Sequence, residues 1–277
     1  MTIDYGLMTK KIAIIAGNLR LPILVRDSLC ASGWDVFVVG IRGFYDPSLK
    51  PDMVVRLGAG GSLHKELQKR GIKLLTFVGG IGHPNLRDIR PDLWTAGLLL
   101  NVIRNQKGYD SMSRAAIAGM ERKGYEIIGA QDLCPEVIFP KPGIYTKTKP
   151  NKTDQKNIDR AVEVSHVIGR ADIGTSVVVD RQVLAMEAAE GTAEMLARVV
   201  ELRRRWKIKG NSGVFAKMVK PGQELRVETT AIGPDTVRDV AAAKLRGIIV
   251  DAQNCFIIDK EEVIALANKH KIFIVAK

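Results

Sequence analysis

The first long apolar stretch of the chain is Lys11-Ile-Ala-Ile-Ile-Ala16, unbroken and closed by Gly17. A strand with one wet face would alternate, so this run reads as a strand covered on both faces. Pro22 then opens a helix through Cys30, because proline is tolerated in a first turn. Trp34 to Val39 and Met53 to Leu57 predict the next two strands, the latter ending on Gly58-Ala-Gly-Gly61. Ser62 is placed to cap a helix from Leu63 to Arg70 that Gly71 closes. Ile72 to Val78 predicts a fourth strand before Gly79-Gly-Ile-Gly82, Ser111 to Lys123 a helix, and Tyr125 to Ile128 a strand. Strands alternating with helices at this spacing predict an N-terminal domain, residues 1–137, with a Rossmann-like parallel sheet.

Periodicity fails between 138 and 152, where Phe139-Pro-Lys-Pro-Gly143 and Lys147-Thr-Lys-Pro-Asn-Lys152 predict a linker. It returns as a helix that places Ile158, Ala161, Val162, Ser165 and Ile168 on one face. Ser176 to Val179 and Val183 to Ala188 predict strands joined by a tight turn at Asp180-Arg-Gln182. Thr192 is placed to cap a helix running to Arg205, and two more helices fall at Pro234 to Leu245 and Glu261 to His270. Val214 to Met218, Gly247 to Val250, Phe256 to Ile258 and Ile272 to Val275 complete a second, C-terminal α/β domain over 153–277.

Composition narrows the class. Aromatic residues are 5% of the 277 and hydrophobic residues 46%, so the core is aliphatic, as helices on a parallel sheet require. The net charge of +12 calls for an anionic partner. The basic residues are spread along the chain, with no zinc-finger spacing, aromatic RNA-binding signature or recognition helix, so nucleic acid is not expected. Cys30, Cys134 and Cys255 are odd in number and far apart, which predicts a reducing compartment rather than a disulfide framework. With no apolar leader and no run of 18 apolar residues, the expected location is cytoplasmic.

Three constellations can carry chemistry. Glycine turns after strands let backbone N–H groups approach a phosphate, and Gly17, Gly60, Gly79, Gly80 and Gly82 are so placed. None of these turns matches GxGxxG or GxxxxGK[ST], and βα turns need glycine in any case. Lys217-Met-Val-Lys-Pro-Gly-Gln-Glu-Leu-Arg-Val-Glu228 packs two lysines, an arginine and two carboxylates around a Pro-Gly turn. Glu224 and Glu228 suit a divalent cation or a water, while Lys217, Lys220 and Arg226 suit pyrophosphate charge. A solvated loop with ordinary ion pairs would have the same composition. Met186-Glu-Ala-Ala-Glu-Gly-Thr192 sets Glu187 and Glu190 near a helix N-terminus.

Together these stretches resemble the UDP-2,3-diacylglucosamine pyrophosphatase family of lipid A synthesis. Ile12 to Gly17 with Leu21-Pro22 is similar to its opening strand and turn, and Leu133-Cys-Pro-Glu136 to a following segment. Asp172-Ile-Gly174, Val177-Val-Val179 and Ala185-Met-Glu-Ala-Ala-Glu-Gly-Thr192 match its central motif, and Lys220-Pro-Gly-Gln223 with Ile232-Gly-Pro234 its later one. The resemblance implies hydrolysis by water at the sugar-side phosphorus, releasing UMP and 2,3-diacylglucosamine 1-phosphate, with Mg²⁺ (or Mn²⁺) as the ion. It implies catalytic roles for Glu224, Glu228, Lys217, Lys220 and Arg226, with Glu224 and Glu228 as the metal ligands. Substrate contacts fall to Gly17, Leu21, Gly79, Gly80, Glu187, Glu190, Gly191, Thr192 and Gln223.

This chain departs from the family's motif at three positions. Glu224 and Glu228 stand for aspartates, and Ala193, with Glu194 beside it, stands for a third. A lipid substrate and the positive charge predict peripheral contact with the inner membrane, and a homodimer stays open. The alternatives are a homologue that binds a phospholipid or nucleotide sugar without turnover, and a nicotinamide-dependent oxidoreductase. The second lacks its dinucleotide fingerprint.

Overall fold

The computed structural model describes residues 10–80, 90–97, 114, 117–139, 141–227 and 230–277. The chain divides into two compact units. The first is Met1–Cys134 together with Glu224–Glu228, and the second is Pro135–Gln223 with Thr229–Lys277.

In the first unit β1 (Lys11–Ala16), β2 (Asp35–Ile41), β3 (Met53–Val55), β4 (Leu74–Val78) and β5 (Glu126–Ile127) form one sheet. Its order is β3-β2-β1-β4-β5 and every pair is parallel, as the buried runs predict. The order reverses between β1 and β4, and in such sheets ligands bind in the crevice outside the carboxyl ends at that point. Helix α1 (Leu21–Ala31) starts on Pro22 without a side-chain cap and buries Leu21, Val25 and Leu29. Leu21 packs into the core, 3% exposed. Helix α2 (Gly60–Arg70) starts two residues before Ser62, which does not cap it. Asp92 Oδ2 accepts the Gly61 amide at 2.8 Å and Thr95 Oγ1 the Gly60 amide at 2.9 Å, caps that come from 31 and 35 residues along the chain. The helix expected from Ser111 lies partly outside the described residues, which are helical at 117–121. A four-residue helix, α3 (Ala130–Leu133), ends the unit's main segment.

The second unit has a six-stranded sheet in the order β6-β13-β11-β9-β7-β8. Its parallel centre is β9 (Val214–Lys217), β11 (Gly247–Val250) and β13 (Phe273–Ala276). The short β6 (Gly143–Ile144) flanks one side antiparallel, and β7 (Thr175–Val179) with β8 (Gln182–Met186) the other. The β7–β8 turn puts both Asp180 and Arg181 at positive φ, the geometry of a two-residue hairpin. Asn157 Oδ1 holds it by accepting the Arg181 amide at 2.8 Å. One face carries α4 (Lys152–Gly169), whose Ile158 and Ala161 pack with Val178, Ala216 and Ile249 of the sheet. The other carries α5 (Thr192–Arg205), α6 (Pro234–Ala242) and α7 (Lys260–Lys269) over a larger aliphatic core. A parallel pair, β10 (Thr230–Ile232) and β12 (Cys255–Ile257), completes the unit. Arg203 is 4% exposed and holds the carbonyls of Gly210 and Ser212. Among the described residues no helix is long and apolar enough to cross a membrane.

Candidate active site

The stretch that begins at Glu224 belongs to the first unit, although 90 positions separate it from Cys134, where that unit's main segment ends. Val227 joins its apolar core, and Gln131 Nε2 donates to the Leu225 carbonyl at 3.2 Å. Arg226 clasps Glu224 with a two-toothed fork, Nε to Oε1 and Nη2 to Oε2, both 2.8 Å. Its remaining nitrogen, Nη1, reaches Glu121 Oε1 at 2.6 Å. The Arg226 guanidinium holds the Glu224 carboxyl below the usual carboxylate range, against the opposing push of burial. Bidentate pairing of this kind is the strong and directional form of the ion pair. Arg226 thus pairs with both Glu224 and Glu121. Glu228 lies outside the described residues.

The second unit supplies a linked triad of polar side chains. Lys217, the last residue of β9, donates from Nζ to Thr192 Oγ1 at 3.0 Å. Thr192 donates in turn to Glu187 Oε2 at 3.0 Å. Thr192 is the first residue of α5 and not its cap. Gly191 takes the cap position at φ +86, in a conformation that glycine reaches without strain. Glu190 is occupied locally, with Oε1 on Arg198 at 2.6 Å and Oε2 accepting the Ala188 amide at 3.0 Å. It fastens the β8–α5 loop to the helix. Of the two glutamates, Glu187 is the one joined to a lysine through a hydroxyl.

The turn from Lys220 to Gln223 is tied from several sides within the same unit. Gln223 Oε1 accepts the Lys220 amide at 2.9 Å, and Lys220 Nζ meets Asp172 Oδ1 at 2.5 Å. Asp172 sits at φ +66, an uncommon conformation for a residue with a side chain. A methyl added at Gly169 would stand 2.6 Å from Pro221 Cδ, so glycine is required where α4 meets the turn. Asp251, the residue after β11, accepts the Val219 amide through Oδ2. Burial pushes its carboxyl upward, opposed by that amide.

At the β1/β4 switch point the glycines are explained by backbone packing. Gly17 donates to Val78 O and Asn18 to Gly80 O, each at 2.8 Å. A Cβ on Gly17 would stand 2.4 Å from Gly80 O, and one on Gly79 2.4 Å from Asn18 O. Gly80 is exposed beside them and available to a ligand, while Gly82 lies outside the described residues. Gly60 is unavailable, since Asp92 and Thr95 take the amides at that helix N-terminus.

Among the described residues no three His, Cys, Asp or Glu side chains form a cage for a metal ion. Mg²⁺ does not require one, since it is usually held by one or two carboxylates plus substrate phosphates and water. Glu224 is a carboxylate of the kind such a site uses, and it also accepts the Arg226 backbone amide through Oε1 at 3.3 Å. Glu121 and Asp251 were missed in the sequence reading. Glu121 gives no local signal, 105 positions from its partner. Asp251 follows directly on a predicted strand, and that position at a carboxyl edge is the signal that could have found it.

Residues 11–137 match the family model for the LpxI N-terminal domain and residues 141–275 that for the LpxI C-terminal domain. The chain is also 35% identical over 271 residues, 96% of each protein, to UDP-2,3-diacylglucosamine pyrophosphatase LpxI of Caulobacter vibrioides.

Proposed function

The chain belongs to the LpxI family, and from that membership we propose how it hydrolyses the pyrophosphate of UDP-2,3-diacylglucosamine in lipid A biosynthesis. The observation that carries the reading is the match of both halves, over nearly all of the chain, to a family named for that activity. Glu224 takes a proton from the attacking water as its oxygen bonds to the sugar-side phosphorus. The bond from that phosphorus to the bridging oxygen breaks, UMP leaves with the bridging oxygen, and 2,3-diacylglucosamine 1-phosphate remains. Lys220, four residues from Glu224 on the chain, and Lys217 offset charge building on the phosphate oxygens. Glu187, through Thr192, holds Lys217 in one orientation, and Gly17, Gly79 and Gly80 border the substrate. Glu224 and Glu228 would hold a Mg²⁺ ion, which supplies Lewis-acid polarisation of the phosphates. The lipid substrate brings the protein to the inner membrane surface as a peripheral visitor, aided by its net charge of +12.

The test is UMP release from UDP-2,3-diacylglucosamine by the purified protein, with Mg²⁺ or Mn²⁺ and then with excess EDTA. Turnover that EDTA abolishes and added metal restores is expected. Turnover indifferent to EDTA would sink the metal role alone. A folded protein without turnover under any metal would sink the hydrolase reading.

The Glu224–Arg226 fork gives a pH prediction. A carboxyl depressed in the folded protein adds stability above its unfolded pKa and loses it as pH falls through the folded one. The base likewise stays ionised to lower pH than a free glutamate, whose ordinary value is 4.5. Arg226→Gln removes the guanidinium, so the acid limb of the kcat profile is expected to move up in pH. An acid limb that stays put would separate Arg226 from the base.

A further inference from the structure

Strand β11 is the middle of the parallel trio, with Val250 level with Lys217 of β9 and Ala276 of β13. Asp251 therefore leaves the sheet at the carboxyl edge of its central strand, where α/β folds gather the groups that meet a ligand. Its Oδ2 accepts the Val219 amide, one residue before Lys220. The same stretch is held by Met218 N to Gly174 O at 2.9 Å and by the Asp172–Lys220 pair. Those two ties run to the loop that precedes β7. Asp251 ties the stretch entering the turn to the central strand.

A half-buried carboxylate is a costly way to satisfy one backbone amide, since burial opposes its charge. Its return is rigidity: a carboxylate accepts a stronger and more directional bond than a water would. We propose that Asp251 is a positioning residue for the hydrolysis, fixing the Lys220–Gln223 turn through the Val219 amide and so the placement of the Lys220 ammonium and the Gln223 amide. The inference rests on the functional reading above. It assigns Asp251 no contact with substrate.

The experiment compares Asp251→Ala, which removes the acceptor, with Asp251→Asn, whose amide oxygen can accept the same bond. Turnover of UDP-2,3-diacylglucosamine and hydrogen exchange across residues 218–223 are read on each. Asp251→Ala is expected to lower kcat by about 30- to 100-fold, the usual loss when a catalytic group shifts by about an ångström. KM should change little, and exchange at 218–223 should quicken while the core strands keep their protection. Asp251→Asn should stay near the parent in both. If Asp251→Ala does not fold, Asp251→Ser takes its place, its hydroxyl one bond too short to reach the amide. The proposal is overturned if the acceptor-less variant keeps parental kcat and exchange. It is equally overturned if Asp251→Asn is as impaired as Asp251→Ala, because charge and not the amide bond would then be what matters. A parent without turnover would sink the functional reading instead, and exchange would still decide whether Asp251 holds the turn.

Discussion

Glu224→Gln is expected to lower kcat for UDP-2,3-diacylglucosamine by about a thousandfold, within the usual span for loss of a general base. The substitution keeps the size of the side chain and one acceptor oxygen for Arg226, but it cannot take a proton from water. The fork would lose one of its two 2.8 Å bonds. The fold should survive, since an ion pair with one partner 35% exposed contributes modestly to stability. The check is kcat and KM at saturating metal beside a thermal melt. A loss of only about tenfold, with the melt unchanged, would move the base elsewhere and leave Glu224 a lesser part in catalysis. The chain carries glutamate where its family's motif has aspartate, so Glu224→Asp is the informative companion. Turnover near the parent's would mean that the Arg226–Glu121 anchor tolerates a carboxylate one methylene shorter.

Gly79→Ala is expected to destabilise the first unit by about 3 kcal/mol, combining a left-handed backbone penalty with an overpacked contact. Gly79 lies at φ +83, and the added Cβ would stand 2.4 Å from Asn18 O and 3.1 Å from Pro22 Cγ. The nearest of these atoms is backbone, which cannot step aside without parting the β1 and β4 loops. Those loops border the switch-point crevice, so kcat/KM should fall with stability. Gly71→Ala is the control. Its φ is +67 but a Cβ there meets nothing within 4 Å, so only the backbone penalty of about 1 kcal/mol applies. A Gly79→Ala protein no less stable than Gly71→Ala would mean that the loops relax freely and are not held by close backbone approach.

The Rossmann-like half could be read from the chain because its evidence is local. Ile12 to Ala16 is apolar at every position, and a strand of that kind is stable only when covered on both faces. The Pro22 helix start and the turn at Asp180–Arg181 followed from residues a few positions apart. The starts of α2 and α5 were read less well. Ser62 and Thr192 have the chemistry of caps, but Asp92 and Thr95 reach the first helix from the distance, and Thr192 is drawn to Lys217 and Glu187 instead. Propensity marks which residues could cap; the competition for their hydroxyls is settled by neighbours remote in sequence.

The same division runs through the site. The two α/β halves, the family, and the motifs in which Lys217, Lys220, Gln223 and Glu224 occur are legible in the chain, since each rests on residue type and short spacing. What those side chains hold depends on the fold. It gave Arg226 to Glu224 and Glu121, sent Leu21 into the core, spent Glu190 on Arg198, and set Asp251 on the Val219 amide. The difference is one of range. Burial periodicity and turn chemistry act over a few residues, whereas a hydrogen bond or ion pair is satisfied by whichever group the fold brings within about 3 Å, at any separation along the chain.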